Sequence, residues 1–120
     1  MSVHHITSGE VVPVRLQGEQ LKETPSTALI KTDNIEVMRL VLEAGKSIQE
    51  HVVAREMTFY CLEGKVELQA HQKTQVLNAG DMVYLEAMQP YALRALEDTA
   101  LLVTILLHEG SASPLDVPMQ

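Results

Sequence analysis

The sequence predicts an all-β domain built from antiparallel strands. From residue 35 onward, short runs rich in Val, Leu, Ile and Thr alternate with turn signals such as Glu43-Ala44-Gly45 and Asn78-Ala79-Gly80-Asp81. One run, from Lys65 to Ala70, alternates polar and apolar residues with the period of two expected of a half-buried strand. Short strands that recur about every ten residues are typical of an antiparallel sandwich or barrel.

The strands are predicted in chain order from these apolar runs and the turns that end them. A polar stretch from Gly18 to Asn34 that contains Pro25 indicates a connection with one short strand near its end. Helices over residues 35–44 and 100–107 are less favoured, because the first lacks a convincing N-cap and the second is apolar all round. The predicted strands cover residues 28–31, 35–42, 57–62, 65–70, 74–77, 82–85, 91–96 and 99–107.

Length and composition predict a single packed domain. The chain has 120 residues, which is one domain's length, and 46% of them are hydrophobic, enough for a core. The apolar side chains are mainly aliphatic, with six Met, one Phe and no Trp. We expect a core over about residues 10–110 with loose ends on both sides.

The charge balance argues against nucleic acid and membranes as partners. Nine Lys and Arg against sixteen Asp and Glu give a formal net charge of -7, and the basic residues are scattered along the chain. A nucleic-acid binder needs a concentrated basic surface to displace counterions, and an anionic membrane surface attracts the same kind of cluster. The longest apolar stretch, Ala100 to Leu107, is also too short to cross a bilayer.

The single cysteine and the first residues predict a cytoplasmic protein. Cys61 stands alone, so neither an intramolecular disulfide nor a zinc site of several cysteines is available. The first ten residues, MSVHHITSGE, contain no apolar segment of the kind found in secretory signals. We expect Cys61 to be an apolar filler of the core, since no base stands near it in sequence.

Two spaced motifs between Gly45 and Ala95 resemble those of the cupin superfamily. The first cupin motif, Gly-x5-His-x-His-x3-Glu-x6-Gly, falls on Gly45, His51, Val53, Met57 and Gly64. The second, Gly-x5-Pro-x-Gly-x2-His-x3-Asn, falls on Gly80-Asp81, Glu86, Met88, Tyr91 and Ala95. The resemblance implies a jelly-roll barrel (a double-stranded β-helix) in which each of the three motif glycines occupies a tight turn. It also implies a dimer, since small cupins commonly pair.

The residues at the cupin metal positions do not suit a metal. These positions correspond to His51, Val53, Met57 and Tyr91, and only the first is the residue that the family uses. Valine has no donor atom, and a thioether suits soft ions, so no metal and no other cofactor is predicted. Glu56 stands one residue before the family's glutamate, which in a strand turns it outward unless a β-bulge turns it back.

The same substitutions predict an apolar pocket. Met57, Phe59 and Cys61 alternate on the strand face that points inward in cupins, and together with Val53 they replace a polar cup with an apolar lining. We predict that the barrel binds a small, largely apolar ligand, with His51 and Tyr91 holding its polar end. Arg39 either contributes by binding a carboxylate at the barrel opening or lies in solvent or at the rim of a dimer.

Three alternatives stay open at this stage. In the first, the apolar side chains fill the core and leave no cavity. In the second, the protein is an enzyme, either one that transfers protons with His51 as base and Tyr91 as acid, or a metal-dependent oxygenase or isomerase with a rebuilt site. In the third, it is a regulatory module for a separate partner protein. A homodimer is expected in each case, because the run from Leu101 to Leu107 lacks alternation and so predicts burial on both faces.

Overall fold

Nine antiparallel strands are present in the computed structural model, which describes residues 6–15, 21 and 25–107. Every strand pairing is antiparallel, which confirms the all-β prediction. The strands are, in chain order, β1 Thr27–Lys31, β2 Ile35–Leu42, β3 Ser47–His51, β4 Met57–Glu63, β5 Lys65–Ala70, β6 Lys73–Asn78, β7 Met82–Leu85, β8 Tyr91–Ala95 and β9 Thr99–Leu106.

The strands form two sheets that face each other as a jelly-roll barrel. The five-stranded sheet has the order β1-β2-β9-β4-β7, and the four-stranded sheet has the order β3-β8-β5-β6. The chain repeatedly crosses between the sheets, for example from β4 to β5 and from β7 to β8. Apart from the β1–β2 and β5–β6 pairs, strands that follow each other in sequence therefore lie in opposite sheets, as in double-sheet jelly rolls.

The observed strands agree with the predicted ones except at β3. The second, fourth and sixth predicted strands match β2, β5 and β7 at both ends, and the others differ by a residue or two. Strand β3 was not predicted because its sequence, Ser-Ile-Gln-Glu-His, is polar and four of its five residues are exposed. This strand lies at the edge of its sheet, and only Ile48 among its residues packs on the core.

The inward faces of both sheets form one apolar core. Phe59 and Leu101 come from the five-stranded sheet, and Val66, Leu68 and Leu93 come from the four-stranded sheet. All five are buried, so the alternating residues of facing strands meet as a continuous layer. Cys61 belongs to this core and is fully buried, as expected of an apolar filler.

The outward face of the five-stranded sheet is also apolar, and a segment of the same chain covers part of it. A second cluster contains Leu62 and Ala100 from this face together with Leu21. Val14, from the segment before β1, packs against the same cluster. The apolar sequence of β9 predicts that its outer side is buried. Residues of the same chain provide part of this burial.

Gly64 makes the turn at which the chain leaves the five-stranded sheet for the four-stranded one. All three motif glycines adopt positive φ, as predicted for Gly45, Gly64 and Gly80. Gly64 is also sterically confined, because a Cβ atom there would clash with the Asp98 carbonyl oxygen and lie 2.8 Å from Thr99 Oγ1. Only glycine satisfies both the backbone angle and the close approach.

The prediction of loose chain ends concerns residues that the structure largely does not describe. The expected loose ends fall largely on residues 1–5 and 108–120, which lie outside the described residues. Within the described ranges, no helix has the length and apolar character needed to cross a membrane.

Candidate functional site

His51 and Tyr91 lie side by side at one end of the barrel. Strand β3 ends at His51 and strand β8 begins at Tyr91, and the two residues are direct partners in the antiparallel register. A register shift between Ile48 and His51 marks an irregularity in β3 just before the pair. The two rings meet edge to face with centroids 5.9 Å apart.

Tyr91 connects this exposed histidine to the core. Its ring also meets Phe59 edge to face, with centroids 5.2 Å apart, and Phe59 comes from β4 in the opposite sheet. Edge-to-face contacts at these distances are favourable beyond simple burial. His51, Tyr91 and Phe59 therefore form a ladder of rings that runs from solvent into the barrel and joins the two sheets.

Two connections meet beside the ring ladder. Residues 52–56 link β3 to β4, and residues 86–90 link β7 to β8. The Met88 amide donates a hydrogen bond of 2.8 Å to the Val53 carbonyl oxygen, and the Val53 side chain packs on the core. We call this end of the barrel, defined by His51, Val53, Met88 and Tyr91, the barrel mouth.

Met88 has a backbone conformation that methionine rarely adopts. Its φ is +68°, in the left-handed region that favours glycine. It stands where the second cupin motif has glycine, the residue that this backbone angle favours. The Met88 side chain is exposed, and strain of this kind concentrates at functional sites and binding loops.

The interior below the barrel mouth is filled. Met57 and Phe59 expose only 4% and 1% of their surface and belong to the same cluster as Tyr91 and Leu101. Side chains that line a cavity large enough for a ligand would keep accessible surface, so these two line no open cavity. The predicted pocket inside the barrel is therefore occupied by protein side chains, and any ligand has to bind above this layer.

Arg39 lies apart from the other predicted site residues. Its neighbours in β2, Met38 and Leu40, pack on the barrel core, which leaves Arg39 on the outward face of the five-stranded sheet. Its Nη1 atom donates a hydrogen bond of 3.2 Å to the Val14 carbonyl oxygen. Arg39 does not line the barrel opening, contrary to the expectation, because the parity of β2 turns it outward.

The residues at the cupin metal positions do not form a metal site. His51 is joined there by valine, methionine and tyrosine, and the described residues contain no group of three His, Cys, Asp or Glu side chains that could hold a metal. Glu56 does not rebuild the site, since it is exposed and its carboxylate accepts a hydrogen bond from the Tyr84 hydroxyl. Residues 52–56 are a connection, not the strand assumed from the motif, yet Glu56 still points outward.

Burial sets the protonation of the two inward-facing titratable groups. Desolvation raises the pKa of the Tyr91 phenol above its ordinary value, so the hydroxyl keeps its proton at neutral pH. Burial likewise raises the pKa of the Cys61 thiol, which donates to the Glu63 and Gly64 carbonyl oxygens. A protonated, buried thiol is a poor nucleophile, which agrees with a structural role for Cys61.

The Tyr91 hydroxyl has no hydrogen-bond partner among the described residues. Among the described residues, the fully buried side-chain N or O atom that lacks a hydrogen-bond partner is Arg39 Nε. The Tyr91 hydroxyl also lacks a partner but is not fully buried, so it keeps some contact with solvent. His51 is exposed and likewise makes no hydrogen bond within the described chain. Two polar groups at the barrel mouth are thus free to meet a ligand.

Sequence reasoning did not find a polar cleft on the outside of the four-stranded sheet. An open depression of about 800 Å³ lies between the tip of the β5–β6 hairpin and the chain around Glu50 and Pro90. His71 is at that tip and adopts positive φ together with Gln72. The cleft depends on three separated segments, so no local pattern announces it.

Comparison with known proteins identifies the family. The sequence profile of the cupin domain matches residues 38–107, which is more than half of the chain and includes both motifs. The chain belongs to the cupin family. No curated protein matches the sequence of this cupin.

Solved structures share the fold of this cupin along most of its length. A conserved protein of unknown function from Streptococcus pyogenes, SPY1581, superposes with a TM-score of 0.70 at 21% identity, covering 92% of this chain and 98% of the other. A cupin superfamily protein from Desulfitobacterium hafniense, DSY2733, gives a TM-score of 0.70 at 15% identity, covering 90% and 100%. At these identities the likeness concerns the fold alone.

The similar structures also include an enzyme. A mutant of salicylate 1,2-dioxygenase from Pseudoaminobacter salicylatoxidans superposes with a TM-score of 0.63 at 17% identity. The match covers 67% of this cupin but only 25% of the dioxygenase chain. The shared part is the barrel, so the match carries no activity over to this chain.

Proposed function

We propose that this cupin is a metal-free binding protein that holds a small, largely apolar ligand at the barrel mouth. The observation that carries the proposal is the pairing of His51 with the unpaired Tyr91 hydroxyl at the edge of an apolar core. A ligand's polar end would contact these two groups, and its apolar part would lie against Val53 and the exposed Met88 side chain. Met57 and Phe59 would support the site from below.

The chemistry of the two polar groups suits a hydrogen-bonding ligand. The Tyr91 hydroxyl stays protonated and can donate one hydrogen bond, since burial raises its pKa. A neutral imidazole offers one donor and one acceptor nitrogen. Small phenols, alcohols and carboxylic acids with an aliphatic or aromatic body present the matching combination of a polar end and an apolar part.

The binding proposal is tested by ligand-induced thermal stabilisation. Protein prepared without a histidine tag and treated with a chelator would be screened against small phenols, alcohols and carboxylic acids. A true ligand raises the Tm with a concentration dependence that follows mass action, by RT ln(1 + [L]/Kd). We expect Tyr91→Phe to lower the affinity for this ligand by about 5- to 10-fold, because one hydrogen bond is lost.

A matched variant separates the site from general effects. Tyr84→Phe removes a hydroxyl from an exposed tyrosine on the opposite sheet and should leave ligand affinity unchanged. If no compound of these classes stabilises the protein, or if Tyr84→Phe and Tyr91→Phe weaken binding equally, the barrel mouth is not the binding site.

A proton-transfer enzyme is the second candidate. It is favoured by the adjacency of His51 as a base and Tyr91 as an acid, with ring centroids 5.9 Å apart. It is disfavoured because no carboxylate in the described part of the chain hydrogen-bonds the His51 ring to orient it. Exchange of substrate protons with deuterated water, lost in both His51→Gln and Tyr91→Phe, would establish this activity in place of simple binding.

Metal content and location complete the proposal. Elemental analysis of untagged protein should find iron, manganese, nickel and zinc far below one per chain, because only His51 offers a familiar donor. A stoichiometric metal would replace the metal-free assignment with a metal-dependent enzyme.

We also propose a cytoplasmic location, which cell fractionation tests, since the lone Cys61 needs no oxidising compartment.

A further inference from the structure

The open polar depression of about 800 Å³ beside the β5–β6 hairpin shares no lining residue with the barrel mouth. One wall is the hairpin tip, residues 69–74, and the other is formed by Glu50, Gln89 and Pro90. The second wall therefore comes from the end of β3 and from the chain that leads into β8. We call this depression the hairpin cleft.

The hairpin tip holds its two loop residues in a strained conformation. His71 and Gln72 alone link β5 to β6, and their φ angles are +53° and +62°. Two positive φ angles in a two-residue hairpin loop are typical of a type I′ turn, which strongly favours Asn-Gly. Histidine and glutamine cost free energy at these positions, and strain of this kind concentrates at ligand-binding sites. The strain indicates that the two side chains serve a purpose at the edge of the cleft.

The two walls of the hairpin cleft carry opposite charges. Lys73 lies on the hairpin wall and Glu50 on the other, and both are exposed. Neither side chain forms an ion pair or a hydrogen bond with another described residue. Glu50 also falls within the register shift of β3, an irregularity of the kind that re-aims side chains beside functional sites. An anionic and a cationic group on the same cleft are thus available to a ligand.

Neutral side chains with unused hydrogen-bonding groups line the same cleft. The amides of Gln69 and Gln72 and the Thr74 hydroxyl make no hydrogen bond within the described chain. Gln89 donates through Nε2 to the Pro90 carbonyl oxygen at 2.9 Å, which leaves its Oε1 atom as an acceptor. A glutamine amide offers both donors and an acceptor, the groups that pair with a peptide unit. The cleft therefore suits a ligand with peptide-like groups between charged ends.

The positions of the two charges limit the length of that ligand. Glu50 belongs to β3 and Lys73 to β6, the two edge strands of the four-stranded sheet. Three strand spacings separate these edges, which is roughly 14 Å between backbones, and the side chains reach into that distance. The charged groups nevertheless form no ion pair with each other. Two or three residues of extended chain, roughly 7–10 Å long, span a distance between these limits.

We propose that the hairpin cleft binds a short zwitterionic peptide of two or three residues. The peptide's ammonium group contacts Glu50, and its carboxylate contacts Lys73, with His71 as a second donor. The peptide groups between the two ends pair with the amides of Gln69 and Gln72. This site is independent of the ligand at the barrel mouth.

A neutral carbohydrate is a less favoured ligand for the hairpin cleft. The described residues that line the cleft include no Trp, Tyr or Phe on which a sugar ring could stack. A neutral sugar would also leave the charges of Glu50 and Lys73 unpaired. A zwitterion satisfies both charges at once.

NMR titration of ¹⁵N-labelled protein with dialanine and trialanine tests the proposal. We expect saturable shifts with a Kd of about 0.1–1 mM at low salt, since exposed ion pairs are individually weak. The largest shifts should fall on the amides of residues 69–74, Glu50 and Gln89. Raising NaCl to about 0.5 M should weaken binding at least about 3-fold. Trialanine acetylated at its N-terminus or amidated at its C-terminus should bind about 5-fold more weakly.

Two neutralising variants assign the ends of the peptide. Glu50→Gln should lower the affinity for trialanine about 5-fold, and N-terminal acetylation should then cost nothing further, because the same contact is already lost. Lys73→Gln should behave in the same way towards C-terminal amidation. Glu43→Gln and Lys46→Gln are the matched controls, since they neutralise exposed charges in the β2–β3 connection, outside the cleft. Both controls should bind trialanine like the wild-type protein.

The strained loop is tested by giving it the sequence that its turn prefers. The double variant His71→Asn, Gln72→Gly should raise the Tm by about 4 °C or more, because the strain is relieved. It should also bind trialanine at least about 3-fold more weakly, because two side chains at the cleft are lost. A more stable variant with unchanged affinity would contradict a ligand-binding role for these residues.

Three results would overturn the proposal as a whole. The first is the absence of shifts with either peptide at about 20 mM. The second is a set of shifts centred on the barrel mouth instead of the hairpin cleft. The third is binding of maltose, or of trialanine blocked at both ends, as tight as that of free trialanine.

Discussion

The outward faces of the two sheets differ although both sheets enclose the same core. On the four-stranded sheet, Glu67, Gln69 and Arg94 alternate with buried Leu68 and Leu93, and the face is polar. On the five-stranded sheet the outward face holds its own apolar cluster around Ala100 and Leu62. A strand therefore alternates polar and apolar residues only where its outward face is in water, because a face covered by other residues does not need polar side chains.

The largest expected effect tests this difference with two alanines. Ala100→Glu places a bulky charged group in the fully buried cluster outside β9 and should cost about 3–5 kcal/mol of unfolding free energy, since a carboxylate there loses its hydration and disrupts the packing. Ala92→Glu makes the same change on the outward face of β8, beside Gln69, and should stay within about 0.5 kcal/mol. Urea unfolding of both variants measures the contrast. Equal costs would show that the two faces are equivalent.

The next effect concerns the turn that carries the chain between the sheets. Gly64→Ala should destabilise the protein by about 3 kcal/mol, because it adds left-handed strain and a clash with the Asp98 carbonyl oxygen. Gly80→Ala has a similar φ but no atom within 4 Å of the new Cβ, so it should cost only about 1–2 kcal/mol. Thermal and urea unfolding would establish the order, and a Gly80 variant as damaging as the Gly64 variant would contradict the steric argument.

A smaller, favourable effect is expected at the crossing from β7 to β8. Met88→Gly removes the left-handed strain at φ +68° and should stabilise the protein by about 0.5–1 kcal/mol after the added chain entropy is counted. Met82→Gly, at an exposed strand position, should instead destabilise by about 1 kcal/mol. The Tm of each variant gives the sign. A destabilised Met88→Gly protein would mean that the side chain contributes more than the strain costs.

The smallest effect is a difference in alkaline stability. The folded-state pKa of Tyr91 lies above the ordinary tyrosine value near 10, so the unfolded chain loses this proton first as pH rises. The contribution of Tyr91 is fully present below pH 10 and is lost as pH rises from there through the folded pKa. Wild-type protein should therefore lose stability more steeply than Tyr91→Phe in this range. Parallel slopes in urea unfolding would show that Tyr91 is not desolvated.

Much of the fold could be predicted from local pattern. Strands β2, β5 and β7 were predicted with their observed ends, because apolar runs bounded by glycine and acidic turns are local signals. The alternation along β4 predicted that Met57, Phe59 and Cys61 share a face, and the resemblance to cupins implied that this face points inward. Strand β3, which carries His51, was not predicted, because an exposed edge strand has little apolar pattern.

The candidate site could be predicted only in part. The motif spacing singled out His51 and Tyr91, and the register pairs them directly. Arg39 was grouped with them because its side of β2 depends on which face meets the core, and both faces of that strand are apolar. The filling of the interior by Met57 and Phe59 also had no local signal, since packing density is a property of all the neighbours together.

The sequence by itself determined the all-β class, the glycine turns, the loss of the cupin metal donors and the choice of His51 and Tyr91 as candidate site residues. These follow from residue identity and spacing, which act locally or through a shared motif. The tertiary structure alone decided that the barrel interior is filled, that Arg39 faces outward, that His51 and Tyr91 pair in the register, and that residues before β1 pack on the outside of the five-stranded sheet. These depend on contacts between segments far apart in the chain, where burial is shared among many partners and no single stretch of sequence records it.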